Sequence, residues 1–267
     1  MSDVRRYYDL DPQHEWDRLD RNRTEFAVTM RAFKEYFPPP PATILDVGGG
    51  PGRYSIGLAQ KGYKVILVDL SRNCLEFARK KAREAGVELE GYIHGNAVDL
   101  PFKKEQIDVI LFMGPLYHLL TEKDRENAVS EAARILRQKG LIFATFVTNY
   151  APLRWAGKYE PAWIFEHQKQ CEQIITTGSV EPPLKEESFV NYAWFAHPSE
   201  VLPLMKKAGF KTVDVIACEG IVSMIDEQVN ELTGKVWEMW VDTNYRLGKD
   251  STIYGAAEHL LYIGEKI

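Results

Sequence analysis

At 267 residues, with 45% of them hydrophobic, the chain is long enough for one large α/β domain with insertions and a substantial core. A formal charge of −5 and a pI near 5.8 provide no global basic field for a phosphate backbone, which disfavours nucleic acid as the main partner. Cys74, Cys171 and Cys218 form no C-x-x-C pair, the amino terminus has no apolar signal core, and no apolar run approaches the roughly 20 residues of a membrane span; this argues against a disulfide framework, a cysteine zinc site or a membrane helix, and for a cytoplasmic protein.

The first 41 residues read as a helical arm. Asp11 followed by Pro12 is an N-cap and first-turn pair, and Leu19, Phe26, Met30, Phe33 and Phe37 recur at helical spacing. One amphipathic helix is therefore expected, ending before the proline run 38–41. Ahead of it Tyr7 and Tyr8, with Trp16 beyond, are unusually aromatic for a terminal arm. Thr43 to Val47 is a short apolar strand running into Gly48, Gly49, Gly50, Pro51 and Gly52. A helix begins near Tyr54. Glycines at a strand-to-helix junction let the backbone approach a ligand, and the free amides there favour anionic or polar atoms. The dinucleotide fingerprint G-x-G-x-x-G fails, because Arg53 stands where the third glycine belongs.

Lys64 to Asp69 is a second strand ending in a carboxylate, and Ser71 caps a helix that stops near Gly86. Gly91 to Phe102 supplies a third strand and a turn, with His94 a strand residue. Gln106 to Met113 is a fourth strand, followed by Gly114, Pro115, Leu116, Tyr117 and His118. A helix over 128–138, stopped by Gly140, precedes a fifth strand at 141–147. Strands at 209–217 and 259–264 complete a sheet of seven. Two segments are surplus to it, about 148–198 and 219–257. Both are rich in aromatic residues and are expected to form a cap that walls an acceptor pocket.

Asp46 with Gly48, Gly50 and Gly52 resembles the D-x-G-x-G-x-G motif of class I S-adenosylmethionine-dependent methyltransferases. The stretch Asn96-Ala-Val-Asp-Leu-Pro-Phe102 resembles their G-D-A-x-D-L-P-F turn with Asn in place of the acid, and 131–140 resembles their helix-to-strand junction, with Lys139 where many have proline. The resemblance covers 40–147 well, the last two strands more weakly, and the surplus segments not at all.

It implies a Rossmann-like, mostly parallel seven-stranded α/β sheet over 42–267 behind the helical arm 1–41, and S-adenosyl-L-methionine as methyl donor with S-adenosyl-L-homocysteine as product. Asp46, Gly48, Gly49, Gly50, Gly52, Arg53, Tyr54, Asp69, Leu70, Asn96, Ala97, Met113 and Tyr8 are the implied cofactor contacts. Asp69 would take the ribose hydroxyls, and Asn96 and Ala97 the adenine. Arg53 and Tyr54 would reach the methionine carboxylate or roof the site. In methyltransferases of this shape an N-terminal helix commonly closes over the cofactor, and the resemblance therefore implies that Tyr7, Tyr8 and Trp16 line a lid. No metal is required.

Relatives acting on base amines carry Asn/Asp-Pro-Pro-Tyr after the fourth strand, and here Gly114 lacks the polar group that would grip an amine. The expectation is methyl transfer to the oxygen, nitrogen or sulfur of a small or medium acceptor. His118 is the candidate general base, with Tyr117 orienting the acceptor and His197 a remoter alternative. A tRNA or protein methyltransferase and a non-catalytic cofactor-binding scaffold remain open, as does the oligomeric state.

Overall fold

The computed structural model describes residues 2–184 and 188–267. Residues 185–187 of the first surplus segment lie outside the described residues, as does Met1 of the arm. Seven strands, β1 (Thr43–Val47), β2 (Lys64–Asp69), β3 (Gly91–His94), β4 (Ile107–Phe112), β5 (Leu136–Val147), β6 (Phe210–Ala217) and β7 (His259–Lys266), form one sheet in the order β3-β2-β1-β4-β5-β7-β6. The pairs from β3 through β5 are parallel, and β7 runs antiparallel to both β5 and β6. Strand order reverses beside β1, so the carboxyl ends of β1 and β4 flank the crevice where parallel α/β sheets take their ligands.

The helices are α1 (Ser2–Leu10), α2 (Pro12–Arg21), α3 (Arg23–Tyr36), α4 (Arg53–Ala59), α5 (Arg72–Glu84), α6 (Glu122–Ile135), α7 (Ala151–Tyr159), α8 (Trp163–Glu166), α9 (Gln168–Thr177), α10 (Pro198–Lys207), α11 (Asp226–Asn230) and α12 (Gly234–Leu247). The central strands are covered on both faces, and their side chains alternate between two cores. Val109 and Leu111 join Phe33, Leu58 and Ala78 from α3, α4 and α5. Ile110 and Phe112 join Ala128 and Ala132 from α6 and Met205 from α10. A smaller third core gathers Ala151, Ile174, Val180 and Phe195 of the first surplus segment around Val147.

Three expectations are corrected. The single helix of the arm is two, because Asn22 leaves helical geometry at φ −99° and ψ 54° between α2 and α3. The helix expected over 128–138 ends at Ile135, and Gly140 does not stop it. β5 starts at Leu136, which pairs with Ile107, and the next paired residue is Leu141 opposite Val109, so 137–140 bulge out of the ladder. Lys139 sits in that bulge at φ 62°. Finally, α12 packs on the arm and not over the crevice: the Tyr245 hydroxyl donates to Glu35 at 2.8 Å, and Arg23 lies over the Trp237 ring at 4.3 Å.

Candidate functional site

The glycine turn is held from below by two buried carboxylates. Asp46, fully buried at the end of β1, accepts a hydrogen bond from Ser55 at 2.6 Å through Oδ2, while its Oδ1 has no partner among the described residues. Burial pushes its pKa up to about 7, with the nearby Asp69 adding to the rise and the Ser55 hydroxyl opposing it. Asp69, at the end of β2, accepts from the Gly50 amide and from the Ser71 amide, each at 2.8 Å. Burial raises its pKa as well, against the two amides that favour its charge. One acid thus supports the turn and the other ties the turn to the β2 loop.

Above the turn lies a cavity of about 1120 Å3, its open mouth included. Its floor is Val47 to Gly50, its sides are Asp69 to Ser71, Gly95 to Ala97 and Met113 to Pro115, and α1 and α2 close it with Val4, Arg5, Tyr8, Glu15, Arg18 and Leu19. A Cβ on Gly49 would fall 2.5 Å from Asp46 Oδ2, so that glycine is demanded by packing within the protein. Gly50, which lines the cavity, has φ +54°, and a Cβ there would meet no atom within 4 Å. The cradle is therefore shaped for something that approaches the backbone of Gly50.

Of the residues singled out by sequence, Gly48, Gly49, Gly50, Arg53, Tyr54, Asp69, Leu70, Asn96, Ala97, Met113, Tyr8, Tyr117 and His118 line this cavity. Asp46 and Gly52 do not: Asp46 lies beneath the turn, and Gly52 caps α4 with Ala78 behind it. His197 is also elsewhere, as the N-cap of α10, where its ring accepts from the Ser199 amide. Trp16 packs against Phe77 and under the Arg53 guanidinium. Arg53 itself is paired with Asp20 at 2.6 Å, so α2 spends its charge before any ligand arrives. Asn96 turns its carbonyl to the Val98 amide at 3.2 Å, an Asx turn that shapes the loop. The cavity lining comes wholly from residues 4–119, which corrects the expectation that both surplus segments wall it.

The first surplus segment instead backs the site from behind His118. The His118 Nδ1 donates to the Tyr192 carbonyl at 2.8 Å, the Phe189 ring lies 5.7 Å from the imidazole, and the Tyr8 hydroxyl meets Nε2 at 2.7 Å. Because a carbonyl only accepts, Nδ1 carries the proton, and in the neutral ring Nε2 accepts from Tyr8. Burial drives the His118 pKa down to about 4, with the Tyr192 carbonyl opposing, so the ring is neutral at ordinary pH.

Sequence reasoning missed the charged wall of the cavity. Arg18 donates to both oxygens of Glu25, at 2.7 and 3.2 Å, and Glu25 is buried on α3. Behind it His259 Nδ1 donates to Glu219 at 2.6 Å and lies 4.0 Å from Glu25. Burial opposes a charge on His259, but the two carboxylates outweigh it and hold its pKa up to about 9. The ligand atoms of Glu25, Glu219 and His259 lie within 4.8 Å of one another, but with Arg18 they form two ion pairs side by side, whose charges already balance. The only signal for this wall was faint. Half of the ten residues of α2 are charged, and it buries just Leu19, next to Arg18.

A model of the methyltransferase domain matches residues 44–140, from β1 into β5. The chain is 30% identical over 203 residues to the malonyl-[acyl-carrier protein] O-methyltransferase of Methylococcus capsulatus, covering 72% of this chain and 70% of that protein. It is 33% identical over 109 residues to the uncharacterized methyltransferase YcgJ of Bacillus subtilis, where it spans only 41% of the relative's length. Among solved structures, a methyltransferase of Thermotoga maritima described as a possible histamine N-methyltransferase superposes with a TM-score of 0.57 over 98% of each chain at 22% identity. One from Methanosarcina mazei reaches 0.60 over 88% of this chain and 97% of its own, at 19% identity. Since the shared sequence runs through the turn, the β2 acid and the β4 end that frame the cavity, the chain belongs to the S-adenosylmethionine-dependent methyltransferases, as an enzyme with the class I Rossmann-like fold.

Proposed function

We propose that this enzyme binds S-adenosylmethionine over the glycine turn and transfers its methyl group by direct in-line displacement to a small organic acceptor held between Tyr8, Tyr117 and His118. The observation that carries the reading is the open space above Gly50, bordered by the Asp69 carboxylate, within one cavity that also reaches His118. When bound, S-adenosylmethionine supplies an electrophilic methyl carbon on a sulfonium. The chain's own task is then to position a nucleophile and exclude water.

Asp69 would exchange its tie to Gly50 for the ribose hydroxyls, since a carboxylate accepts from both at once. Gly95 to Ala97 would border the adenine, and Met113 and Gly114 would flank the reacting end. Neutral, half-buried rings at Tyr8, Tyr117 and His118 suit an organic acceptor better than a phosphate backbone, in keeping with the acidic pI. Two relatives support this class: the malonyl-[acyl-carrier protein] O-methyltransferase, and a ubiquinone/menaquinone biosynthesis C-methyltransferase of Vibrio vulnificus, 31% identical over 38% of this chain.

The test is incubation with methyl-labelled S-adenosylmethionine and cell extract separated into small-molecule, RNA and protein fractions. Label is expected in the small-molecule fraction. Label confined to RNA or protein would overturn the acceptor class, and failure to bind S-adenosylhomocysteine would overturn the cofactor.

A further inference from the structure

We propose that Tyr8 and His118 form a proton relay in which the acceptor meets the Tyr8 oxygen, and that the acceptor is a hydroxyl compound methylated at oxygen. This rests on the functional reading above and names its acceptor chemistry. Three observations converge on it. Tyr8 lines the cavity and its hydroxyl proton points at His118 Nε2, so the oxygen lone pairs are what the hydroxyl has left for an incoming donor. The His118 Nδ1 is committed to the Tyr192 carbonyl, which fixes the tautomer that leaves the Nε2 lone pair as the acceptor. Nε2 is already occupied by Tyr8 at 2.7 Å, so an acceptor reaches the imidazole through the phenol and not directly.

The neighbouring charges narrow the acceptor. Arg18 is held by Glu25, and Glu15 lies 3.9 Å from Arg18, so among the described residues this end of the cavity has no carboxylate without a cationic neighbour to receive an ammonium. The Tyr8–His118 pair is neutral. An aliphatic amine is an ammonium at neutral pH, which a neutral pair does not draw in, and a carboxylate has no proton to give. A neutral hydroxyl must shed its proton as it is methylated, and that is the step a relay serves.

In the step, the acceptor oxygen bonds to the methyl carbon, and the carbon–sulfur bond breaks with its electron pair going to sulfur. The acceptor's proton passes to the Tyr8 oxygen while the Tyr8 proton passes to His118 Nε2, leaving a neutral thioether, a methyl ether and an imidazolium. The imidazolium returns its proton to water by the same route once the product has left.

The experiment has an activity arm and a spectroscopic arm. Protein labelled with 15N-histidine and saturated with S-adenosylhomocysteine is expected to show His118 as the neutral Nδ1–H tautomer at pH 7, with its Nε2 resonance moving to that of an unbonded lone pair in Tyr8→Phe. In extract with methyl-labelled S-adenosylmethionine, the labelled product is expected to resist alkali, to pass a cation exchanger at low pH, and to release iodomethane in hot hydriodic acid, as an ether does. Tyr8→Phe and His118→Gln are each expected to lower turnover about a hundredfold, with S-adenosylhomocysteine affinity within twofold of wild type. The amide introduced by His118→Gln can still accept from Tyr8 but cannot take its proton, so wild-type turnover in that variant would reduce the pair to structure. An Nε2–H tautomer, an alkali-labile ester or a product retained on the exchanger would overturn the relay while S-adenosylhomocysteine still binds. Loss of that binding in the wild type would instead overturn the functional reading beneath it.

Discussion

Two adjacent glycines separate what the fold needs from what the ligand needs. Gly49 is boxed in by Asp46 and Leu67, with a Cβ falling 2.5 and 2.6 Å from their side chains, whereas Gly50 faces open cavity. Gly49→Ala is expected to lower the unfolding midpoint strongly, because backbone or buried acid must move. Gly50→Ala is expected to cost only about 1–2 kcal/mol for its left-handed backbone, measured by urea unfolding, and to abolish S-adenosylhomocysteine binding by occupying the cradle. Asp69→Asn tests the neighbouring contact. Losing a charge-assisted acceptor is worth about 1.5–3 kcal/mol, so S-adenosylhomocysteine affinity is expected to fall by about ten- to a hundredfold in calorimetry. Asp46→Asn is expected to leave affinity nearly unchanged, since Asp46 lies under the turn and its hydrogen-bond partner among the described residues is Ser55.

At the scale of elements, α1 is fastened to the rest of the molecule at both ends of the site. Ser71 Oγ donates to Asp9 at 2.6 Å and Asn73 donates to the Asp9 carbonyl at 2.9 Å, while Tyr8 reaches across to His118. Ser71 is also the residue whose amide holds Asp69. Asp9→Ala is therefore expected to speed amide exchange in α1 and weaken S-adenosylhomocysteine several-fold, with exchange in β1, β4 and β5 unchanged; slow exchange retained in α1 would show that the rings alone hold it. These elements also show what was readable in sequence. β1, β2 and β4 were legible because continuous apolar runs end in glycine or acid, and the Asp11 and Ser71 caps were legible because capping is local chemistry. The break at Asn22 was not, since an asparagine within a helical pattern is common and its geometry is set by α3 docking on the sheet. Nor was the start of β5, where Leu136 to Gly140 continue a helical period but pair with β4 through a bulge.

At the scale of the whole molecule, the arm, the second surplus segment and the sheet end are joined by the row Arg18, Glu25, His259 and Glu219, from α2, α3, β7 and the turn after β6, with both carboxylates buried. No local pattern announces it, because its members are far apart in the chain and each is ordinary alone. His259 is raised above its unfolded value, so its stabilisation is present in full below about pH 6.5 and is lost as pH rises through about 9. His259→Gln leaves two carboxylates sharing one arginine and is expected to destabilise by about 3–5 kcal/mol near pH 6, with the gap to wild type closing towards pH 10 in urea titrations. His118 works in the opposite direction. Its pKa is lowered to about 4, so the unfolded chain takes up a proton first as pH falls from about 6.5 to 4, and stability falls with it.

The chain's family, its sheet and its glycine turn converge on one cavity that runs from Asp69 to His118, the donor and acceptor ends in the proposed reaction. The most direct test is titration calorimetry of the wild type and Gly50→Ala with S-adenosylhomocysteine. One site per chain in the wild type, and none in a Gly50→Ala protein that unfolds cooperatively, is the predicted result. Equal binding by both would contradict the placement of the methyl donor over this turn.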